Sequence, residues 1–250
     1  VLGRTNRSFP RLWLRLKTPE NVVEVESLVA AATQAGTVVD VSGSPAFWGA
    51  RLGPAGIPMI VCIGQGLERI RSHDDALDWI SAEIFQVLSA IGRPCIEFLF
   101  LTVRRAFETH QIHGALEALE TARQDGICQF LGLHVPGGDG YAALGLWQFH
   151  DAFDCVLVPR DDGVEQAYRT LLPLALERRV GVITSSEIIR RPNVIEWGSM
   201  LDLESDHPVL LGVRSSDEVR SAWAAIHTAN EQKQQRLETY PSGLRAGDRS

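Results

Sequence analysis

The feature that most constrains this chain is a repeated alternation. Eight short apolar runs are separated by segments with helical periodicity. The runs are 11–16 (RLWLRL), 37–42 (TVVDVS), 57–64 (IPMIVCIG), 95–102 (CIEFLFLT), 128–135 (CQFLGLHV), 154–159 (DCVLVP), 181–186 (GVITSS) and 208–214 (PVLLGVR). They are apolar almost throughout, the pattern of parallel strands covered on both faces. Eight strand–helix units with no glycine-rich GxGxxG turn predict an α/β chain of the (β/α)8 barrel type rather than a doubly wound sheet. The 250 residues suit one such barrel. No linker interrupts the pattern, so a single domain over 1–250 is expected, with 227–250 as the end of the last helix and a loose tail.

Local signals place the helices. Thr18 and Pro19 form an N-cap and first-turn pair ahead of ENVVEVESLVAAATQAG, which stops at Gly36. Ser72 and Asp75 open a capping-box-like helix through HDDALDWISAEIFQVLSAIG. Further helices are expected over GALEALETARQDG, over a short apolar stretch at 144–150, over VEQAYRTLLPLALERR and from Ser216 through DEVRSAWAAIHTANEQKQQRLE. One unit is short. Only 14 residues, GSPAFWGARLGPAG, separate the second and third runs. Two prolines and four glycines among them leave little room for a full helix.

Charge and cysteine usage exclude several classes. The net charge of −7 argues against a general nucleic-acid surface. No apolar run approaches the length that spans a bilayer, roughly 18 residues, and the stretch from Val1 has no leader-like pattern. A cytoplasmic location is therefore expected. Cys62, Cys95, Cys128 and Cys155 lie at or near strands without CxxC spacing, which predicts buried free thiols rather than disulfides or zinc ligands. His110 and His113 have helical i,i+3 spacing, but no carboxylate completes a metal set, and no metal is expected. No GxSxG elbow or Cys–His context supports nucleophilic catalysis.

Several segments, in order, resemble the aldo/keto reductases. LGRTNRSFPRLWL is similar to that family's LGRTG-type opening, and VVDVSGSPAFWGARLG to its FDTAxxYG…LG segment. ALEALETARQDGICQFLGLHV, FDCVLVP, LLPLALERRVGVI and LLGVRSSDEVRSAWAA resemble the later units. Together they cover roughly residues 2 to 226. The resemblance implies a barrel that binds NADPH at the C-terminal ends of its strands and reduces carbonyls. It also implies four catalytic groups: tyrosine donates the proton, lysine lowers the tyrosine pKa, aspartate pairs with the lysine, and histidine orients the carbonyl. A phenol near pKa 10 needs such tuning to work at neutral pH.

Carried over residue by residue, the resemblance puts the aspartate at Asp40. The tyrosine position falls at Phe47 or Trp48, the lysine position at Ile63 or Gly64, and the histidine position at Thr102. The glycine-containing turn under the nicotinamide corresponds to WLRLK, which puts Arg15 or a neighbour there. The carboxamide-holding serine and asparagine correspond to His134 and Val135, and an asparagine near the adenine to Ala222. Arg214, Ser215, Ser216 and Arg220 remain as a phosphate site, since helix N-terminal amides favour an anion.

The residues leave open alternatives at each position. Asp40, His134 and Glu187 are the candidate acid–base groups. Asp40 could instead be a structural cap or a partner for Arg15, His134 a satisfied structural group, and Glu187 a salt-bridge partner of Arg190 or Arg191. Arg15, Phe47, Trp48 and Thr102 are candidate pocket residues, the two aromatics alternatively plugging the mouth. Arg214, Ser215 and Arg220 are the candidate cofactor contacts. Glu97 could face inward, with Arg15 or Lys17 as its partner, or outward. Arg104 and Arg105 are surface charge or a catch for an anionic substrate. The expected function is non-redox acid–base chemistry of isomerase, lyase or cyclase type on a small-molecule ligand, with standard carbonyl reduction lost. The alternatives are an NADPH-dependent oxidoreductase with a relocated proton donor and a non-catalytic nucleotide- or partner-binding protein. The cofactor is left open, with NADP as the candidate, and the oligomeric state is not read.

Overall fold

Eight parallel strands close into a barrel, each hydrogen-bonded to the next and the eighth to the first. They are β1 (Leu12–Leu16), β2 (Val38–Asp40), β3 (Met59–Ile63), β4 (Ile96–Thr102), β5 (Cys128–His134), β6 (Cys155–Pro159), β7 (Gly181–Glu187) and β8 (Val209–Val213). The described helices are α1 (Val22–Ala35), α2 (Pro45–Leu52), α3 (His73–Ile91), α4 (Thr109–Gln124), α5 (Glu165–Glu177) and α6 (Ser216–Thr239). The computed structural model describes residues 1–18, 21–137, 151–159, 165–187, 201 and 207–239. The expected helix at 144–150, the tail from 240, Pro19, Arg190 and Arg191 lie outside these residues.

The strand pattern follows from two-sided burial. One set of residues packs between the sheet and the helices: Leu12, Leu14 and Leu16 from β1, Met59, Val61 and Ile63 from β3, and Leu99 and Leu101 from β4. The alternate set fills the barrel: Trp13, Val38, Ile60, Phe98, Phe100, Cys155, Leu157, Ile183 and Leu210. At the N-terminal end of the barrel, Phe9, Trp13, Phe98 and Phe130 stack edge to face or tilted at 5.0–5.9 Å. Trp13 Nε1 donates to the Pro10 carbonyl (2.8 Å), so the indole is buried without an orphaned N–H. This plug closes the floor and leaves the opposite rim, where strands end, as the open face.

Several local expectations change. α1 is capped by Asn21, whose side chain accepts from the Glu24 amide (2.8 Å), not by Thr18. Ser72 does cap α3, accepting from the Asp75 amide. α4 begins at Thr109, earlier than GALEALETARQDG, because Glu108 and Gln111 form a reciprocal capping box. The short unit holds a two-turn helix after all. Pro45 sits in the first turn of α2, where its missing N–H costs nothing, and α2 is the shortest of the described α-helices. Gly49 lets it press onto the end of α3, since a Cβ there would lie 2.5 Å from the Ile91 Cα. Glu97 faces outward at the start of β4 and accepts from the Met59 amide (2.7 Å), so no inward partner is required. Cys128 and Cys155 are buried and Cys62 is half-buried, but Cys95 is exposed, so the expectation of burial fails there. No described helix is long and apolar enough to cross a membrane.

The backbone contact at Gly49 gives a test of the short unit. Gly49→Ala should lower unfolding stability by about 1–3 kcal/mol, the usual range for overpacking. Gly43→Ala, whose Cβ meets nothing within 4 Å, should stay within about 0.5 kcal/mol of the parent. Urea denaturation of the two variants checks the contrast.

Candidate active site at the barrel mouth

The inward-facing residues one step above the apolar filling are polar. Arg15 follows Trp13 in the inward set of β1, Asp40 follows Val38 in β2, and Thr102 follows Phe100 in β4. Register brings them level: Arg15 opposes both Asp40 and Gly212, Gly212 opposes Glu187, and Thr102 opposes His134. Strand pairing therefore gathers Arg15, Asp40, Thr102, His134 and the end of β7 at one rim.

Two direct contacts organise that rim. Arg15 Nε donates to Asp40 Oδ2 at 2.7 Å. The Asp40 side chain is 1% exposed and that of Arg15 34%. The other carboxylate oxygen accepts from the Ser42 amide (2.9 Å) and the Ser42 hydroxyl (2.5 Å), and Ser42 Oγ in turn accepts from the Cys62 amide (2.8 Å). A buried carboxylate is thus neutralised by a guanidinium and locked by a short turn. Both structural readings of Asp40 hold in the geometry: it is the partner of Arg15 and it caps the Ser42 turn. The second contact joins Thr102 Oγ1 and His134 Nδ1 at 3.3 Å.

Burial and neighbouring charge act on the groups near this rim. Burial, then the positive charge of Arg15, push the His134 imidazole from 6.5 down to about 4; Asp40 opposes this and Arg104 adds to it. Burial raises the Cys62 thiol well above its ordinary range, and the Asp40 charge adds to the rise. An activated thiolate is therefore not what this site provides.

The residues carried over for the lysine and the tyrosine sit differently from expectation. Ile63 faces the helices and Gly64 ends the strand with φ +92°; the inward group beside Asp40 is Cys62. The cation on Asp40 comes from β1, as Arg15, instead of from β3. Trp48 is 1% exposed within the layer between barrel and helices, so it is core rather than pocket lining. Phe47 packs edge-on to Trp48 (4.9 Å) and is covered by the Arg51 guanidinium at 3.7 Å. Thr102 lines a cleft at the rim, and Arg15 lies at the rim opposite Asp40. Glu187 ends β7 level with this row, but its side chain lies outside the described atoms. His110 Nε2 hydrogen-bonds the Ile70 carbonyl (3.1 Å), and no metal-like cluster of three or more ligands occurs among the described residues.

The residues at the implied cofactor site do not fit a phosphorylated dinucleotide. At the start of α6, the Glu218 carboxylate accepts from the Arg214 amide (2.6 Å) and the Ser215 amide (3.3 Å), and Ser215 Oγ accepts from the Glu218 amide (3.3 Å). The amides that would hold a phosphate are satisfied by the chain's own buried carboxylate. Arg220 turns along the helix to Asp217 (2.5 Å) and Ser216 Oγ (3.1 Å). Of the expected contacts, the Arg214 and Ser215 amides and the Ser215 hydroxyl are engaged in this cap and Arg220 in the helix contacts. Val135, one of the two carboxamide positions, is buried in the outer layer. Capping residues were visible in the sequence as Ser215 and Glu218, spaced as a capping box, and that spacing was the missed signal.

No protein-family model matches the sequence, and no curated protein matches it. Solved structures do. A protein assigned as an aldo-keto reductase from Pseudomonas aeruginosa superposes with TM-score 0.70 at 17% identity, covering 92% of this chain and 95% of that one. The Bacillus halodurans aldo-keto reductase in its holo form gives 0.66 at 15%, over 95% and 94%. A Klebsiella pneumoniae aldo-keto reductase in complex with NADPH gives 0.63 at 15%, over 100% and 98%. With the closed parallel eight-stranded barrel, these likenesses establish that the chain has the aldo-keto reductase (β/α)8 fold.

Proposed function

We propose that this chain is a divergent aldo-keto reductase that has left NADPH-dependent carbonyl reduction and carries out non-redox acid–base chemistry on a small molecule at the barrel mouth. The observation that carries this reading is the Arg15–Asp40 ion pair. It occupies Asp40 with a cation fixed on β1, at the place where the resemblance puts the nicotinamide. No phenol, ammonium or imidazole stands at the positions of the family's proton relay.

The remaining groups suit proton transfer without electron transfer. Thr102 holds His134 through Nδ1, which leaves Nε2 for the substrate. Neutral imidazole takes a proton from one substrate atom and returns it to another, so the sum is an isomerisation, or an elimination when a leaving group departs. Arg15 stabilises negative charge that develops on a substrate oxygen, with Asp40 and Ser42 fixing its position. Glu187 is a second candidate acid or base at the same level.

The NADPH complex of the Klebsiella neighbour favours the competing reading, an oxidoreductase with a relocated donor. Titrating the protein into NADPH and following nucleotide fluorescence, then adding 4-nitrobenzaldehyde, separates the two. The expected result is no fluorescence change and no NADPH consumption. Aldehyde reduction at rates of intact aldo-keto reductases removes the non-redox reading.

His134 provides a pH test. The unfolded chain protonates it near 6.5, the folded chain only near 4. Its contribution to stability is therefore complete above 6.5 and is lost as pH falls from 6.5 toward about 4. Melting temperatures measured across that window should fall less steeply in His134→Gln than in the parent. Superimposable profiles would show that the imidazole is not held neutral.

A further inference from the structure

A cleft of about 490 Å³ leads away from the inner rim. Its inner end is Thr102, the residue bonded to His134, and its walls include Gly64, Gly66, Ile70, Trp79 and Arg104. The volume lies within the ~300–1,000 Å³ of small-molecule sites.

The walls differ in kind. On one side, Gly64 and Gly66 present bare backbone, held at φ +92° and +87°. A Cβ on Gly64 would sit 2.8 Å from Leu101 Cδ1, and of the three consecutive residues 64–66 only Gln65 carries a side chain. Glu83 accepts from the Gly64 amide (2.8 Å) and pins it. The Trp79 ring leans on Gly66, its Cζ2 lying 3.5 Å from where a Cβ would be, and the residue is still 45% exposed. An indole left open beside a flat backbone strip is a stacking surface.

The other walls carry charge. Among the described residues, Arg69 and Arg104 line the cleft against one lining carboxylate, Glu68, which lies 4.0 Å from Arg69. Arg105 turns away to the Glu68 carbonyl (3.4 Å). Arg104 makes no hydrogen bond or ion pair among the described residues. It stands two residues beyond Thr102, so an anion bound by its guanidinium lies next to the candidate catalytic histidine.

We propose that this cleft binds an aromatic carboxylate, its ring on Trp79 and its carboxylate on Arg104. The proposal rests on the acid–base reading of the mouth and assigns its substrate class. It also supplies a missing ingredient. His134 is held weakly basic chiefly by burial, then by Arg15, with a smaller contribution from Arg104. An anion beside Arg104 offsets that smaller contribution and moves the imidazole in the direction of higher proton affinity when substrate is present.

Calorimetric titration of the full chain with three probes tests this: naphthalene-2-acetate, its neutral amide, and acetate. Naphthalene-2-acetate should bind at least about ten-fold more tightly than either of the others, a difference of about 1.4 kcal/mol. Arg104→Gln should abolish the preference for acid over amide and leave amide binding unchanged. Trp79→Ala should abolish the preference for naphthalene-2-acetate over acetate, and Trp79→Phe should restore part of it. Both side chains reach solvent, and circular dichroism confirms that the variants fold. Equal binding of the three probes, no binding of the naphthyl acid, or unchanged preferences in the variants would each overturn the assignment. Because binding is read without turnover, such a failure leaves the acid–base reading standing. NADPH-dependent aldehyde reduction removes that reading without touching this result.

Discussion

The site depends on one requirement: a carboxylate buried as deeply as that of Asp40 needs a cation within contact distance. An unpaired charge in that position costs several kcal/mol, so the fold keeps the aspartate only together with a partner. In the family that the sequence resembles, that partner is a lysine. Here the inward residue beside Asp40 on β3 is Cys62, which carries no charge. Arg15 supplies the charge from the neighbouring strand, and parallel register makes this possible by setting Arg15 directly opposite Asp40. Asp40 thus keeps a cationic partner, whose origin lies on β1, on the opposite side of β2 from β3. What changes is the space around it, because a guanidinium on β1 lies across a mouth that a glycine would leave open.

The same rule of compensation links the other end of the implied cofactor site. Free amides at a helix start attract an anion, and an anion must come from somewhere. In this chain it comes from Glu218, three residues into the helix-capping sequence. A cation at the ring position and a carboxylate at the phosphate position oppose a phosphorylated dinucleotide independently. Each is satisfied within the chain, so neither is a strained vestige.

Much of the barrel was legible because two-sided burial writes itself plainly. A run such as MIVCI has no polar face, and eight such runs with helices between them leave few architectures. The rim was legible in part. Asp40, Arg15, Thr102 and His134 came from the resemblance together with their places near strand ends, and register brings them together. What could not be read was orientation at strand ends and helix starts. Ile63 and Cys62 are neighbours in sequence and lie on opposite faces, so an alignment uncertain by one residue exchanges a core contact for a site contact. Trp48 and Phe47 fail for a related reason: which face of a two-turn helix turns inward depends on the Gly49 contact with α3. Arg214, Ser215 and Arg220 were read as ligand contacts because each could bind an anion. In the fold, Glu218 takes the Arg214 and Ser215 amides and Asp217 pairs with Arg220, contacts that composition alone does not reveal.

Why a different set of rim residues leaves the barrel intact follows from the way each strand divides. Below the rim, Trp13, Val38, Phe98 and Phe100 fill the interior, and Phe9 and Phe130 close its floor with ring contacts. These residues bury the surface on which stability rests, and none of them touches the mouth groups through a polar bond. Arg15, Asp40, Thr102 and His134 sit one inward step further along the same strands. Exchanging groups there is limited by charge balance and hydrogen bonding rather than by packing volume. A histidine can become a threonine at 102 because the hydroxyl finds the imidazole of His134 across the strand pair. The cost is met locally, within two adjacent strands. The fold therefore tolerates a new set of polar residues at the mouth whenever each buried donor and acceptor among them finds its partner.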